Sequence, residues 1–132
     1  MTTIEQQQIL DLQTQLDSLT KQPYDWNNAP VIVQINNTKW LLGPEAPEEM
    51  NWNDAREWCQ SIGGELPPRD VLLQCYINES TKPLFKTAWY WSSPDFDATT
   101  AWIQTFPSGY QGTSFKTTSN YVRAVQAIKL GD

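Results

Sequence analysis

Residues 51–73 read N-W-N-D-A-R-E-W-C-Q-S-I-G-G-E-L-P-P-R-D-V-L-L, and this stretch decides the fold. Its first half predicts a helix that begins after a capping side chain, Asn51 or Asn53. The apolar residues of this helix recur at helical spacing and share one face: Ala55, Trp58, Cys59 and Ile62. Gly63-Gly64 then ends the helix, because glycine readily takes the left-handed conformation that follows a last turn.

The second half of the stretch predicts another helix. Leu66-Pro67-Pro68 leads into it, and Asp70 lies near its start, where a negative charge is favourable. Its predicted apolar face consists of Leu72, Leu73, Tyr76 and Ile77. Cys59 and Cys75 fall on the two predicted helices, so we interpret both as buried thiols, and a bridge between them stays open.

Strands are predicted on both sides of the two helices. Upstream, residues 31–35 and 39–42 flank the turn-like 36–38 and predict a β-hairpin. Residues 43–49 hold two prolines and three glutamates and predict an exposed loop. Downstream, three short strand candidates are residues 88–92, 101–106 and 121–128. The polar, glycine-containing residues 108–120 between the last two predict an exposed binding loop.

The order helix, Gly-Gly-x-Leu-Pro, helix, Tyr-Trp-Ser-Ser, Ala-Trp, Tyr-Val-Arg-Ala-Val resembles the domain family named after the C-terminal domain of the Legionella collagen-like protein. That family is frequent in bacteria and their phages and is placed in the C-type lectin-like fold. The resemblance covers about residues 50–127. The matching residues are Trp52, Ala55, Trp58, Cys59, Gly63, Gly64, Leu66, Pro67, Arg69, Leu72, Tyr90, Trp91, Ser92, Ser93, Ala101, Trp102, Phe106, Tyr121, Val122, Arg123, Ala124 and Val125. It implies an α+β domain with two helices packed on a small antiparallel sheet with long loops.

The matching residues have mainly structural interpretations. We expect Trp58, Trp91 and Trp102 to fill the core between the helices and the sheet. Arg123 lies on a predicted strand between valines, and we expect it to pair with an acid or to bind backbone carbonyls.

The N-terminal residues 3–21 predict one uninterrupted helix, which Pro23 prevents from continuing. Its apolar residues follow an a/d seam two heptads long: Ile9, Leu12, Leu16 and Leu19. This seam either packs on the protein's own domain or joins copies as a short coil, and its narrowness favours the coil. Two heptads alone are marginal in water, so the following domain would have to assist. We expect a homotrimer, since trimeric coils joined to lectin-like domains are common in phage fibres.

These elements predict three segments along the chain. Residues 1–22 form an oligomerisation helix, residues 23–49 a connector with a β-hairpin, and residues 50–132 a C-type lectin-like domain. The first residues lack the basic start and apolar run of a signal peptide, so we expect a protein made in the cytoplasm. No stretch approaches the roughly 20 apolar residues that cross a bilayer, so membrane insertion is not expected.

Composition and motifs argue against several functions. The chain has 132 residues with 15 acidic and 9 basic side chains, a net charge of −6, which disfavours nucleic acid as a partner. It has no histidine, which removes histidine-based catalysis and the usual zinc sites. The two cysteines lack the basic neighbour of a nucleophile. We therefore expect no enzyme activity and no cofactor.

Asp95 and Asp97 are candidate metal ligands, because they could present two carboxylates to a cation. A lone D-x-D pair in a turn is far more often a solvated loop, so no metal is expected. The calcium-dependent sugar-binding lectins of this fold carry Glu-Pro-Asn or Gln-Pro-Asp, and neither tripeptide occurs here.

Two functions remain open. The first is a phage-type structural or adhesion module, a virion fibre, tail or decoration component, that oligomerises through its N-terminal helix and recognises a protein or glycan with its loops. The binding residues expected for it are Asp95, Asp97, Tyr110, Phe115 and Asn120. The second is a small intracellular phage or bacterial protein that inhibits or regulates a host protein by surface contact.

Overall fold

The computed structural model describes residues 24–130, and these form a mixed α+β fold, as predicted. Its two helices are α1, Trp52–Ser61, and α2, Arg69–Ile77. Its strands are β1 (Val31–Ile35), β2 (Thr38–Glu45), β3 (Trp89–Asp95), β4 (Thr100–Thr105), β5 (Gln111–Phe115) and β6 (Arg123–Lys129). They make two antiparallel three-stranded sheets, with strand orders β1-β2-β6 and β3-β4-β5. No helix among the described residues is long and apolar enough to cross a membrane.

Helix α1 forms as its sequence predicts. The side chain of Asn51 accepts a hydrogen bond from the backbone N–H of Asp54 at 2.9 Å, which caps the first turn. The helix ends at Ser61, and Gly63 follows with a φ of +87°. The N–H of Gly64 donates to the carbonyl of Cys59 at 2.8 Å, so the chain turns sharply and closes the helix end.

Helix α2 buries a different face from the predicted one. Val71, Leu72 and Cys75 are fully buried, whereas Leu73 is 39% and Ile77 59% exposed. Each residue turns the helix by about 100°, so Leu73 and Ile77 point away from the face that Val71 and Cys75 share. The prediction for Leu73 and Ile77 is therefore wrong, because the contact face of this short helix is narrow.

Strand β2 runs further than expected, through Glu45, so the predicted loop 43–49 begins later. Pro44 fits within β2 because the register with β6 shifts between Leu42 and Glu45, which spares the proline a ladder hydrogen bond. The hairpin of β1 and β2 turns at Asn36, which has a φ of +55°. Since β2 pairs with β6, this hairpin belongs to the same sheet as the C-terminal strand.

Strand β5 lies inside the stretch predicted as a long loop, residues 108–120. Its sequence, Q-G-T-S-F, has almost no apolar residue and gives no strand signal by itself. The strand exists because its backbone pairs with β4, for example Thr113 with Trp102. It is the edge strand of the second sheet, and tertiary pairing decides its conformation.

The two sheets meet at a parallel bridge between Tyr90 and Tyr121. The N–H of Trp91 donates to the carbonyl of Tyr121, and the N–H of Tyr121 donates to the carbonyl of Trp89, both at 3.0 Å. One half of the core lies against α1 and is built around Trp52 and Trp91. The other half lies against α2 and contains the aromatic residues Phe85, Tyr90 and Phe106.

The three tryptophans expected in the core differ in their burial. Trp91 is fully buried, and Trp58 is partly buried against the core on the α1 side. Trp102 is not a core residue: it is only partly buried and stands at the surface of the second sheet. Arg123 behaves as expected, since its guanidinium donates to the carbonyls of Gly43 at 2.9 Å and Leu84 at 2.7 Å.

Candidate functional site

Five residues were predicted to bind a partner, and the structure distributes them over different parts of the second sheet. Asp95 ends β3 and is exposed, and its carboxylate pairs with the ammonium of Lys116 at 3.2 Å. This ion pair joins the end of β3 to the residue that follows β5. Asp95 is therefore positioned at the surface but already has a cationic partner.

Asp97 organises the turn between β3 and β4. Its Oδ1 accepts hydrogen bonds from the N–H of Thr99 at 2.9 Å and from the N–H and the hydroxyl of Thr100, both at 2.8 Å. These bonds, the Thr100 hydroxyl first, lower the pKa of the Asp97 carboxyl. Oδ1 of Asp97 therefore stabilises the turn between β3 and β4.

Tyr110 and Phe115 are strongly exposed, at 64% and 65%, but they do not share a surface. Side chains alternate along a strand, and these residues are an odd number of positions apart, so they project from opposite faces of the second sheet. Tyr110 lies edge-on to Trp89, with ring centroids 6.2 Å apart. The predicted single binding loop is therefore two separate surfaces.

Asn120 is the buried member of the predicted set, with only 7% of its surface exposed. Its backbone exchanges two hydrogen bonds with Met50, both at 3.1 Å, which ties the segment before β6 to the start of α1. Asn120 therefore holds the fold together at this point. The seam residues Ile9, Leu12, Leu16 and Leu19 lie outside the described residues.

On one face of the second sheet, the predicted binding residue Phe115 lies with aromatic side chains that the sequence analysis did not assign to a binding site. Phe96 is 60% exposed and meets Trp102 edge-on, with ring centroids 5.6 Å apart. Phe115 pairs with Thr100, and Trp102 with Thr113, so Phe115 and Trp102 lie diagonally across neighbouring strands on one face. We call Arg69, Phe96, Trp102 and Phe115 the aromatic surface.

Arg69 is fixed against this surface. Its guanidinium stacks on the Trp102 ring at 3.5 Å from the centroid, and its Nε donates to Oε1 of Gln111 at 3.0 Å. Gln111 in turn donates to the carbonyl of Arg69 and to Oε1 of the buried Gln104, both at 2.8 Å. The guanidinium is thereby held in one orientation, while its two Nη groups have no hydrogen-bond acceptor among residues 24–130.

The position of the aromatic surface follows from the packing of α2. That helix covers the same sheet face further along β4, where the side-chain amide of Gln104 donates to the carbonyl of Leu72 at 2.8 Å. Because α2 begins at Arg69, the sheet beyond this residue is left uncovered. Thr100, Trp102 and Gln104 alternate along β4 and therefore share one sheet face. This pattern could have shown that Trp102 lies beside Thr100 at the surface, whereas its residue type favoured the core.

A separate polar cluster surrounds Glu45, and its contacts are structural. The Tyr90 hydroxyl donates to the Glu45 carboxylate and accepts from the N–H of Lys86 at 2.8 Å. The ammonium of Lys86 lies 2.9 Å from Glu45, and Arg123 lies 4.0 Å from it. Burial, followed by the hydrogen bond to Glu45, raises the pKa of the Tyr90 hydroxyl.

The groups that could support metal or thiol chemistry are sparse in the described residues. No three His, Cys, Asp or Glu side chains among residues 24–130 converge as metal ligands would. Cys59 and Cys75 are both free and buried. Burial raises the pKa of each thiol to about 12, so both stay protonated at neutral pH.

Comparison with known proteins gives no match for this chain, either to a protein-family model or to a curated sequence.

Proposed function

We propose that the protein is a non-enzymatic recognition module that binds a partner protein through the aromatic surface. The observation that carries this proposal is the pair of exposed phenylalanines, Phe96 and Phe115, beside the fixed guanidinium of Arg69. Exposed phenylalanine is costly in water, and aromatic and arginine side chains dominate the centres of protein interfaces. Because Arg69 is held in place before binding, little side-chain entropy is lost when it meets an acceptor.

A protein partner is favoured over a glycan by the way Trp102 is covered. Sugars are commonly bound by stacking on an open aromatic face, and one face of Trp102 already carries the Arg69 guanidinium. Phe96 contacts the same ring edge-on. The expected partner offers an apolar side chain to the two phenylalanines and a carboxylate or carbonyl to Arg69.

We place the chain in the C-type lectin-like fold on its motif resemblance, and we propose that residues 1–22 join copies into a trimer. The a/d seam of Ile9, Leu12, Leu16 and Leu19 supports this part of the proposal. Such an assembly would present several copies of the aromatic surface at once, which raises avidity without new contacts. Multivalent recognition of this kind would suit a virion fibre, tail or decoration protein.

The recognition proposal is tested with a displayed random-peptide library and a glycan array. Both are probed with the wild-type protein and with the double variant Phe96→Ser, Phe115→Ser. We expect peptides with an apolar anchor beside an acidic residue, whose affinity falls at least tenfold in the double variant and in Arg69→Gln. The exposed Ile128→Ser in β6 is the matched control and should bind normally. Glycan binding that depends on the two phenylalanines would show that the partner is a glycan and not a protein. Binding that is unchanged in the double variant would refute the role of the aromatic surface.

The assembly proposal is tested by light scattering on the full chain and on a chain that starts at Pro23. A trimer that becomes a monomer on truncation supports the oligomerisation helix. A full-length monomer would instead favour the alternative function, an inhibitor of one host protein. Recovery of one stoichiometric host partner would support that alternative, whereas recovery of the chain in purified virions would support the fibre or decoration role.

A further inference from the structure

A polar cleft of about 260 Å³ lies between α1, the segment that joins the two helices, and strand β3. It is lined by Arg56, Gln60, Glu65, Leu66 and Ser93, and we call it the Arg56 cleft. At roughly 30 Å³ per water molecule, it has room for about nine waters or a ligand with a similar number of heavy atoms. It is thus suited to a small polar molecule.

The walls of the cleft are rigid parts of the fold. Arg56 and Gln60 stand one helical turn apart on α1. Glu65 is fixed by two backbone hydrogen bonds with Val125, at 2.8 and 2.9 Å. The N–H of Ser93 donates to the carbonyl of Pro67 at 2.9 Å. The backbone positions from which the side chains of the cleft project are therefore well fixed.

The polar side chains of the cleft have unused hydrogen-bonding groups. Within residues 24–130, the side chains of Arg56, Gln60, Glu65 and Ser93 make no hydrogen bond to protein. The guanidinium of Arg56 rests on the Trp52 ring, 4.8 Å from its centroid, which leaves its N–H groups free at the edge. The floor is Leu66, which is almost fully buried.

The cleft contains one positive and one negative side chain, Arg56 and Glu65, that do not form an ion pair. Ion pairs of the described residues join Lys86 to Glu45, Lys116 to Asp95 and Arg123 to Glu45, and none joins Arg56 to Glu65, so these two groups are more than 4.0 Å apart. Although Glu65 is exposed, partial desolvation of its carboxyl raises the pKa of that group. A ligand between the two groups could satisfy both charges at once.

We propose that the Arg56 cleft binds a small zwitterion of the free α-amino-acid class. The ligand's carboxylate receives the two-pronged hydrogen bond of the Arg56 guanidinium, a geometry that arginine provides and lysine does not. The ligand's ammonium donates to the Glu65 carboxylate. Gln60 and Ser93 supply the remaining donors and acceptors, and Leu66 contacts the aliphatic carbon atoms.

The cleft is distinguished from the aromatic surface by its ligand and its residues, so this inference does not depend on the proposed protein recognition. Arg69→Gln should leave amino-acid binding unchanged. Arg56→Gln should leave peptide binding at the aromatic surface unchanged.

The test is calorimetric titration with glycine, L-serine and L-glutamine, each compared with acetate, methylammonium and glucose. The indole N–H of Trp52 donates to the carbonyl of Ser92 at 3.0 Å beneath Arg56, so its NMR signal reports binding independently. We expect saturable binding of at least one amino acid, weakened about tenfold or more by Arg56→Gln, Arg56→Lys and Glu65→Gln. Glu57→Gln, an exposed change elsewhere on α1, is the matched control.

Both charged residues of the cleft are exposed side chains, so their variants should fold, which circular dichroism verifies. No saturable binding by any of the amino acids would overturn the proposal. So would equal binding of glucose, or binding that survives both Arg56→Gln and Glu65→Gln.

Discussion

The side-chain amide of Gln104 in β4 donates to the backbone carbonyl of Leu72 in α2 across 2.8 Å, in a site with no solvent exposure. This contact joins the second sheet to α2 and supports Gln111, which in turn holds Arg69. A polar side chain so placed is stabilising only while its partners are present.

Gln104→Leu should lower the free energy of unfolding by about 1–3 kcal/mol, because the buried carbonyl of Leu72 and the partly buried amide of Gln111 each lose a hydrogen bond to Gln104. The measurement is urea denaturation followed by tryptophan fluorescence. Gln126→Leu is the matched control, since Gln126 makes the same type of bond to the carbonyl of Gly63 at 2.9 Å but at the surface. Equal effects of the two changes would contradict the structural role of Gln104.

The buried thiols should make the fold weaken at alkaline pH. Their pKa of about 12 in the folded protein lies above the ordinary value of 9.0, so above pH 9 the unfolded chain loses protons that the folded chain keeps. Stability is therefore complete below pH 9 and declines as pH rises towards 12. Between pH 8 and pH 10 the two thiols together should cost roughly 2–3 kcal/mol.

The matched control for this alkaline loss is the double variant Cys59→Ala, Cys75→Ala. It should show a smaller decline between the two pH values, whatever its stability at pH 8. Both native thiols should also resist a thiol reagent until the protein unfolds. A wild-type pH dependence identical to that of the variant would refute the assignment of the effect to the thiols.

Gly64 has no room for a larger residue. A Cβ at this position would lie 2.7 Å from the Trp26 ring and 2.8 Å from the carbonyl oxygen of Val125. Gly64→Ala should therefore destabilise the protein by about 1–3 kcal/mol, measured by thermal or urea unfolding. In the control Gly112→Ala, the new Cβ would lie 3.2 Å from the exposed Tyr110 ring, which can move, so a smaller loss is expected.

The exposed phenylalanines should contribute little to folding if they serve recognition. Phe96→Ala and Phe115→Ala should each change the free energy of unfolding by about 0.5 kcal/mol or less. Phe106→Ala, at a site only 2% exposed, should cost about 3–5 kcal/mol. A large loss on changing Phe96 or Phe115 would show that their rings are needed for the fold, and would weaken the case for the aromatic surface.

Local patterns explain which parts of the fold could be predicted. The Asn51 cap, the apolar face of α1 and the Gly63-Gly64 stop act within a few residues of one another, and all three are confirmed. Strand β5 could not be found in this way, because only its pairing with β4 makes it a strand.

The candidate site was harder to predict than the fold, for a similar reason. Trp102 looks like a core residue by type, and only the end of α2 at Arg69 leaves it at the surface. Asn120 looks like a loop residue by type, and only its pairing with Met50 buries it. The type of a residue indicates only whether it tends to be buried. Whether it is buried depends on where the neighbouring helix or strand begins and ends.

The pairing of β2 with β6 has a consequence for how the chain is made. Leu42 lies opposite Val125, so the first sheet joins residues from near the start and the end of the described chain. During synthesis, β2 has its hairpin partner β1 early but lacks β6 until the residues between β2 and β6 have also been made. Closing a loop of this length is entropically costly and slows folding. The nascent protein would therefore expose one edge of β2 until β6 has emerged, a period in which a chaperone could bind it.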